Sequence, residues 1–327
     1  MYYLSKRSAI RRLFASSFGR ELSAAIVAVI FTIIASSVAN AQQTLDRDAG
    51  WLDTLNWYRV ASGLPPVTEN TVWSAGLEAH IAYLANTPQQ YRVGEYANAH
   101  MENPASPFYS PEGDAAGRTS NLTFHSESDQ AAINLWMAAP FHAIGVLRSG
   151  LKEVAFYRDP VTGAAGLDVV RGLEPTYKSD LVLFPGPGST IELQSFLSES
   201  PNPLETCGYD GSAGLPLVAI LPAKPDPEAT ATVTDVTGTV VPTCIVSEHT
   251  YVSTDPVYGP TGLSLLRAGT LFIIPRDALS SPRYMVNLTQ PGRADISWSF
   301  NVAENDGVET NLGGNRNDTV LANNASK

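Results

Sequence analysis

Near Tyr177 the hydrophobic pattern of the chain changes period, and few architectures accommodate that change. Before it, apolar residues recur at helical spacing. Leu52, Leu55 and Tyr58 fall near one face of the stretch Trp51 to Ala61, and Trp73, Leu77, His80 and Leu84 recur at i, i+4, i+7 and i+11. After it, the helical period disappears. Short apolar runs follow at Leu217 to Leu221, Thr230 to Val241, Leu271 to Ile274, Tyr284 to Leu288 and Asp295 to Val302, separated by proline, glycine and aspartate. In the last run Ile296, Trp298, Phe300 and Val302 alternate with polar residues, the pattern of a strand with one wet face. A chain of 327 residues exceeds what one small core usually fills. The expectation is an α+β module over 46–180 and an all-β module over 181–302, with Pro185-Gly-Pro-Gly188 at the junction.

The first module can be drawn in outline. Gly63 stops the first helix and Pro65-Pro66 forces an extended link. A second helix runs from Val72 to Asn86, with Pro88 just beyond it. Residues 101–120 read as loop because of Pro104, Pro107, Pro111, Gly113 and Gly117. Ser128 or Asp129 caps a third helix that ends at Pro140. Val154 to Tyr157 and Leu167 to Val170 read as strands joined by a hairpin at Asp159 to Gly163. Helices packed on these strands imply an α-β-α sandwich. About seven short strands in the second module suit an Ig- or fibronectin-like β-sandwich. Residues 303–327, rich in Asn and Gly, read as a disordered tail.

The N-terminus has the layout of an export signal over 1–41. Lys6, Arg7, Arg11, Arg12 and Arg20 precede an apolar run from Leu22 to Ile34, and Ala39-Asn40-Ala41 offers a small-x-small cleavage site. An uncleaved signal anchor is the rival reading, because the run to Ala39 approaches spanning length. No later run is long enough to span. A secreted, periplasmic or cell-surface location follows, and with it a disulfide between the two cysteines, Cys207 and Cys244, rather than two buried thiols. Closing that loop would contribute roughly 3–4 kcal/mol in the chain-entropy model. The net charge of −11 argues against nucleic acid and against an anionic membrane surface as partner.

Residues that could carry chemistry are few. His100 and Glu102 stand two apart, so an extended backbone would turn both to one side, as a metal-binding or acid-base pair or as a hydrogen-bonded surface pair. His125 and His142 could join them. Histidine nitrogen and carboxylate oxygen suit a divalent metal such as zinc, with His100, Glu102 and His142 as the ligand set, although no local metal-binding spacing is present. His80 lies on an apolar stripe and reads as a core or boundary histidine. There is no Gly-x-Ser-x-Gly elbow, Gly-x-Gly-x-x-Gly or P-loop.

One resemblance organises these residues. Leu55-Asn56-Trp57-Tyr58-Arg59, His100, Asn121-Leu-Thr-Phe-His125, Trp136-Met-Ala-Ala-Pro-Phe-His142 and Leu167-Asp-Val-Val-Arg171-Gly172 together resemble the signature set of the secreted CAP/SCP domain family. That is the group of cysteine-rich secretory proteins, antigen 5 and pathogenesis-related-1 proteins. The resemblance implies a CAP-like α-β-α fold with a cleft holding two histidines and two acidic residues. His100 matches the first histidine, and Pro140 with His142 matches the bacterial Trp-x-x-Ser-Pro-x-His pattern. Ser120, beside Asn121, stands where the family has its first glutamate, and Ala139 stands where the second acidic residue is expected. Asn56, Arg59 and Trp136 would be structural: an amide satisfying backbone groups, a guanidinium pairing a carboxylate, and an anchor for the third helix.

Three functions follow as expectations. The first is a non-catalytic extracellular binding protein whose cleft around His100 and His142, with Glu102, Ser120, Asn121 and His125, takes a small apolar ligand, a peptide or a cell-envelope fragment. The second is a metal-dependent hydrolase of peptide or envelope polymer. The third is a structural or adhesive surface protein whose site has degenerated.

Overall fold

Helix α1 (Trp51–Ala61) forms where the sequence pattern puts it, and turns Leu55 and Tyr58 into the interior. The computed structural model describes residues 45–46, 49–175 and 180–303. The expected export signal, and the expected tail beyond Ala303, lie outside these residues. Strand β1 (Thr68–Glu69) leads into α2 (Thr71–Asn86), whose first turn is capped by Asn70. Helix α3 (Pro111–Gly117) then breaks the stretch read as loop. Its proline stands in the first turn, where no amide hydrogen is needed, and Ser110 Oγ accepts from Gly113 N at 2.9 Å. Residues that argue against a helix interior are here start signals and a packing face.

Strand β2 (Ser120–Thr123), helix α4 (Asp129–Ala138) and helix α5 (Pro140–Val146) follow. Ser128 caps α4 through Ala131 N, and Pro140 both ends α4 and opens α5. Strands β3 (Glu153–Arg158) and β4 (Ala165–Asp168) pair antiparallel around the expected hairpin, giving a sheet in the order β1-β3-β4-β2. Alternate residues of β3 serve opposite faces. Val154 and Phe156 pack with Leu55, Ile133 and Trp136, whereas Ala155 and Tyr157 pack with Leu77 and Ala116. Helices therefore cover both faces of this sheet.

The remainder is mostly strand. One sheet runs β12 (Thr243–Val246), β13 (Thr270–Pro275), β9 (Leu217–Ile220), β5 (Val182–Phe184). A second runs β11 (Val240–Val241), β10 (Thr230–Asp235), β14 (Arg283–Thr289), β15 (Ile296–Val302), β6 (Thr190–Ile191). β7 (Ser195–Phe196) and β8 (Ala213–Gly214) form a small ribbon. The expected run Thr230 to Val241 is two strands. Asp235 Oδ1 accepts from Thr237 N and Thr239 N and so turns the chain between them. Helical structure does not vanish after Tyr177: α6 (Leu204–Cys207) and α7 (Gly259–Arg267) are present. Gly259, Pro260 and Gly262 read as turn residues, but Pro260 occupies the first turn of α7 and Gly262 sits hard against Tyr251, Pro201 and Phe141. The disulfide Cys207–Cys244 joins α6 to β12, with the cysteines 37 residues apart.

A single buried cluster runs through both halves. It contains Leu55, Trp136 and Phe141 from the helical part and Phe184, Phe272 and Trp298 from the strand-rich part. Phe141 meets Phe272 and Tyr251 edge-on, at ring separations of 5.0 and 5.6 Å. None of the helices among the described residues is long and apolar enough to cross a membrane.

Candidate functional site

The histidines sort by what their ring nitrogens touch. His80, on α2, is fully buried. Its Nε2–H donates to Ala99 O at 3.0 Å, and its Nδ1 lies 2.9 Å from Glu102 Oε1, also fully buried. A carbonyl can only accept, so Nε2 carries a hydrogen, and the contact between Nδ1 and the carboxyl shares one further proton. Glu102 Oε2 accepts from Ser110 N at 2.9 Å, and Glu102 N donates to Asp114 Oδ1. Both side chains are thus enclosed and satisfied. Two glycines of α3 make room for them. A Cβ on Gly117 would lie 2.3 Å from His80 Cε1, and one on Gly113 would lie 2.4 Å from Glu102 Oε1. These glycines stand four apart, so they share the helix face that meets α2.

Glu102 therefore belongs with His80 and not with His100. The expected pairing of His100 and Glu102 on one extended face is not formed, because the carboxyl turns inward and meets the buried His80 ring. The ligand set His100, Glu102, His142 is broken up for the same reason. Among the described residues, no three His, Cys, Asp or Glu side chains come together in a way that could hold a metal ion.

His100 is half-buried, and its Nδ1–H donates to Gly117 O at 2.9 Å. Burial pushes its pKa down to about 4; the bond to Gly117 opposes that shift, and the nearby His142 and His80 add to it. At neutral pH the ring is uncharged. Its hydrogen is on Nδ1, and Nε2 carries a lone pair with no protein partner among the described residues.

His142 stands in the first turn of α5. Its Nδ1 lies 2.6 Å from Glu199 Oε2, and Glu199 Oε1 accepts from Phe141 N at 2.9 Å. Here too Nε2 has no protein partner among the described residues. The segment 116–121 ties the two histidines together. Gly117 O holds the His100 ring, and Asn121 Nδ2 donates to His142 O at 3.0 Å. Between them Ser120 Oγ donates to Ala116 O at 2.6 Å, so that hydroxyl braces the backbone.

His125 does not join this group. It is exposed, and it lies two residues beyond the end of β2. Asn56 satisfies Val67 from both sides, through Nδ2 to O at 3.0 Å and N to Oδ1 at 2.7 Å. Arg59 is fully buried and pairs no carboxylate. Its guanidinium donates to the carbonyls of Pro65, Val146, Arg148 and Leu151, and burial lowers its pKa to about 10. The loop ends that meet there present several carbonyls to one point, and a five-donor fork can answer all of them where one anion would use only part of it. Trp136 is buried as expected, with Nε1 donating to Leu122 O at 3.2 Å. In the stretch Leu167 to Gly172, Asp168 is buried and accepts from Thr119 Oγ1, from the Val170 and Arg171 amides and from the Arg171 guanidinium, which stacks on Trp73.

Two residues that contact these histidines escaped sequence reasoning because they come from the strand-rich half. Glu199 supports His142 across 57 residues of sequence. Tyr258 meets the His100 ring edge-on at 5.9 Å and accepts from Ala99 N through its hydroxyl at 3.0 Å, across 159 residues. No local motif marks either residue.

No protein-family model and no curated protein sequence matches the chain.

Proposed function

We propose that this is an exported, non-catalytic binding protein with a CAP/SCP-like α-β-α module and an Ig- or fibronectin-like β-module, and that its cleft around His100 and His142 takes the ligand. The observation that carries the reading is the matched presentation of the two histidines. Each is held through Nδ1, and each keeps Nε2 without a protein partner among the described residues, while the fully buried His80 has both nitrogens engaged. Oriented polar groups of this kind fix a ligand in a binding site, and the Tyr258 ring packs edge-on beside His100. Helices on both faces of the β1-β3-β4-β2 sheet support the CAP-like assignment, as do the structural duties found for Asn56, Trp136 and the Asp168 turn. Export is supported by the disulfide and by the signal-like N-terminus. The candidate ligands are a small apolar molecule, a peptide or a cell-envelope fragment.

The test is a thermal-shift screen of residues 42–327 against a sterol, short peptides and cell-wall glycan fragments, run beside the His100→Ala/His142→Ala variant. The reading expects at least one of these to raise the Tm of the parent and to leave that of the variant unmoved. Equal stabilisation of both proteins by every active compound would remove the cleft from the account. Metal content of the same two preparations decides the hydrolase alternative: a stoichiometric ion lost in the variant would restore it.

A further inference from the structure

The carboxylate that meets the cleft comes from outside the half of the chain that builds it. Glu199 follows β7, and its side chain is 2% exposed. Its Oε1 accepts from Phe141 N at 2.9 Å; its Oε2 accepts from His142 N at 3.3 Å and from His142 Nδ1 at 2.6 Å. No other carboxylate among the described residues hydrogen-bonds either cleft histidine: Glu102 faces His80, and positions 120 and 139 are serine and alanine.

We propose that Glu199 is the positioning residue of the cleft. It fixes the His142 ring in its Nδ1–H tautomer, so that Nε2 is left as an acceptor alongside that of His100. Two backbone amides already donate to the carboxylate, and amides cannot accept, so both oxygens are committed as acceptors. A ring hydrogen at Nδ1 completes the same pattern of donors around the carboxylate. The arrangement is the one by which a buried carboxylate sets the tautomer of a working imidazole, and replacing such a carboxylate by its amide puts the hydrogen on the wrong nitrogen. The strand-rich half is thereby part of the site and not a spacer attached to it.

Glu199→Gln isolates the claim. The glutamine has nearly the same shape but only one acceptor oxygen. With that oxygen on Phe141 N–H, its NH₂ faces His142 Nδ1, which becomes the acceptor, and the hydrogen moves to Nε2; turned the other way the amide still accepts from Nδ1–H, so Glu199→Leu, which offers no acceptor in either direction, is measured beside it. Long-range ¹H–¹⁵N spectra of histidine-labelled protein at mildly alkaline pH read the tautomer of each ring directly. The expected result is an Nδ1–H ring at His142 in the parent and an Nε2–H ring in Glu199→Leu, with the His80 and His100 signals unmoved. An Nε2–H ring at His142 in the parent overturns the proposal without needing any variant. So does an Nδ1–H ring that persists in a folded Glu199→Leu, which would leave Glu199 as a helix cap alone. If Glu199→Leu does not fold, the parent spectrum still decides the tautomer. The inference rests on the cleft being a binding site, but the spectra need no ligand. An empty ligand screen would therefore defeat that reading and leave the assignment of Glu199 standing.

Discussion

The His80–Glu102 pair and the His100–His142 pair lie within electrostatic reach of one another, yet they are built for opposite ends. In the first, burial is complete, both ring nitrogens have acceptors, and glycines at 113 and 117 are packed against the pair. In the second, each ring is held by one nitrogen only, and both side chains keep some exposure. A buried polar group must find partners or lose stability, so full satisfaction marks a structural histidine. A ring held firmly by one nitrogen, with the other left open, is oriented without being sealed. The lesson is that residue type and spacing do not separate the two kinds, whereas an inventory of hydrogen bonds does.

The comparison can be broken or sharpened by substitution. Glu102→Ala should have the largest effect, because it leaves His80 enclosed without its carboxylate. A loss of about 3–5 kcal/mol is expected by urea unfolding, and a loss under about 1 kcal/mol would mean the pair is not buried as described.

The next effect is on pH dependence. His100 has a folded pKa of about 4, below the ordinary imidazole value. The unfolded chain therefore binds this proton first as pH falls. Its contribution is intact above about pH 6.5, shrinks as pH drops towards 4, and is constant below that. The full difference is on the order of 3 kcal/mol. Subtracting the stability–pH curve of His100→Gln from that of the parent should isolate a slope confined to this window; parallel curves would contradict it.

Gly117→Ala touches both regions at once. Its new methyl meets His80, while its carbonyl still has to hold His100. A destabilisation of about 1–3 kcal/mol is expected from overpacking, together with a changed environment at the His100 ring in the ¹⁵N spectrum. Stability loss with no change at His100 would show that the two regions do not share this support.

His142→Ala should cost least, about 1–2 kcal/mol, since it removes one charged hydrogen bond but leaves Glu199 bonded to two backbone amides. Its main consequence should be lost ligand stabilisation. A cost as large as that of Glu102→Ala would place His142 among the structural histidines.

Much of the fold was legible because it rests on local signals. The periodicity of α1 and α2, the Ser128 cap, the Asp159 to Gly163 hairpin and the alternation along β15 each need only near neighbours in sequence. Helices α3 and α7 were not, since proline and glycine at helix starts and packing faces look like loop residues until the neighbour they pack against is known. At the site, His100, His142 and Asn121 could be named from sequence, and His80 could be placed in the core. The partner of Glu102 could not. His100 is two residues away from it and His80 is 22, and only the turn at Ala99 to Met101 decides which ring it meets. Arg59 shows the same limit, for a buried guanidinium suggests a carboxylate when the true partners are four backbone carbonyls. Glu199 and Tyr258 were out of reach because nothing local ties the strand-rich half to the cleft.

The most direct test of the distinction between sealed and open histidines is carbethoxylation by diethyl pyrocarbonate, whose carbonyl is attacked by an imidazole lone pair with loss of ethanol and carbon dioxide, each site being followed by mass spectrometry. The exposed His125 and His249 serve as internal references for the open rate. The account predicts that His142 reacts within reach of those references, that His100 reacts more slowly, and that His80 stays unmodified until the protein unfolds. Modification of His80 at the rate of His125, or protection of His142 as complete as that of His80, would contradict it.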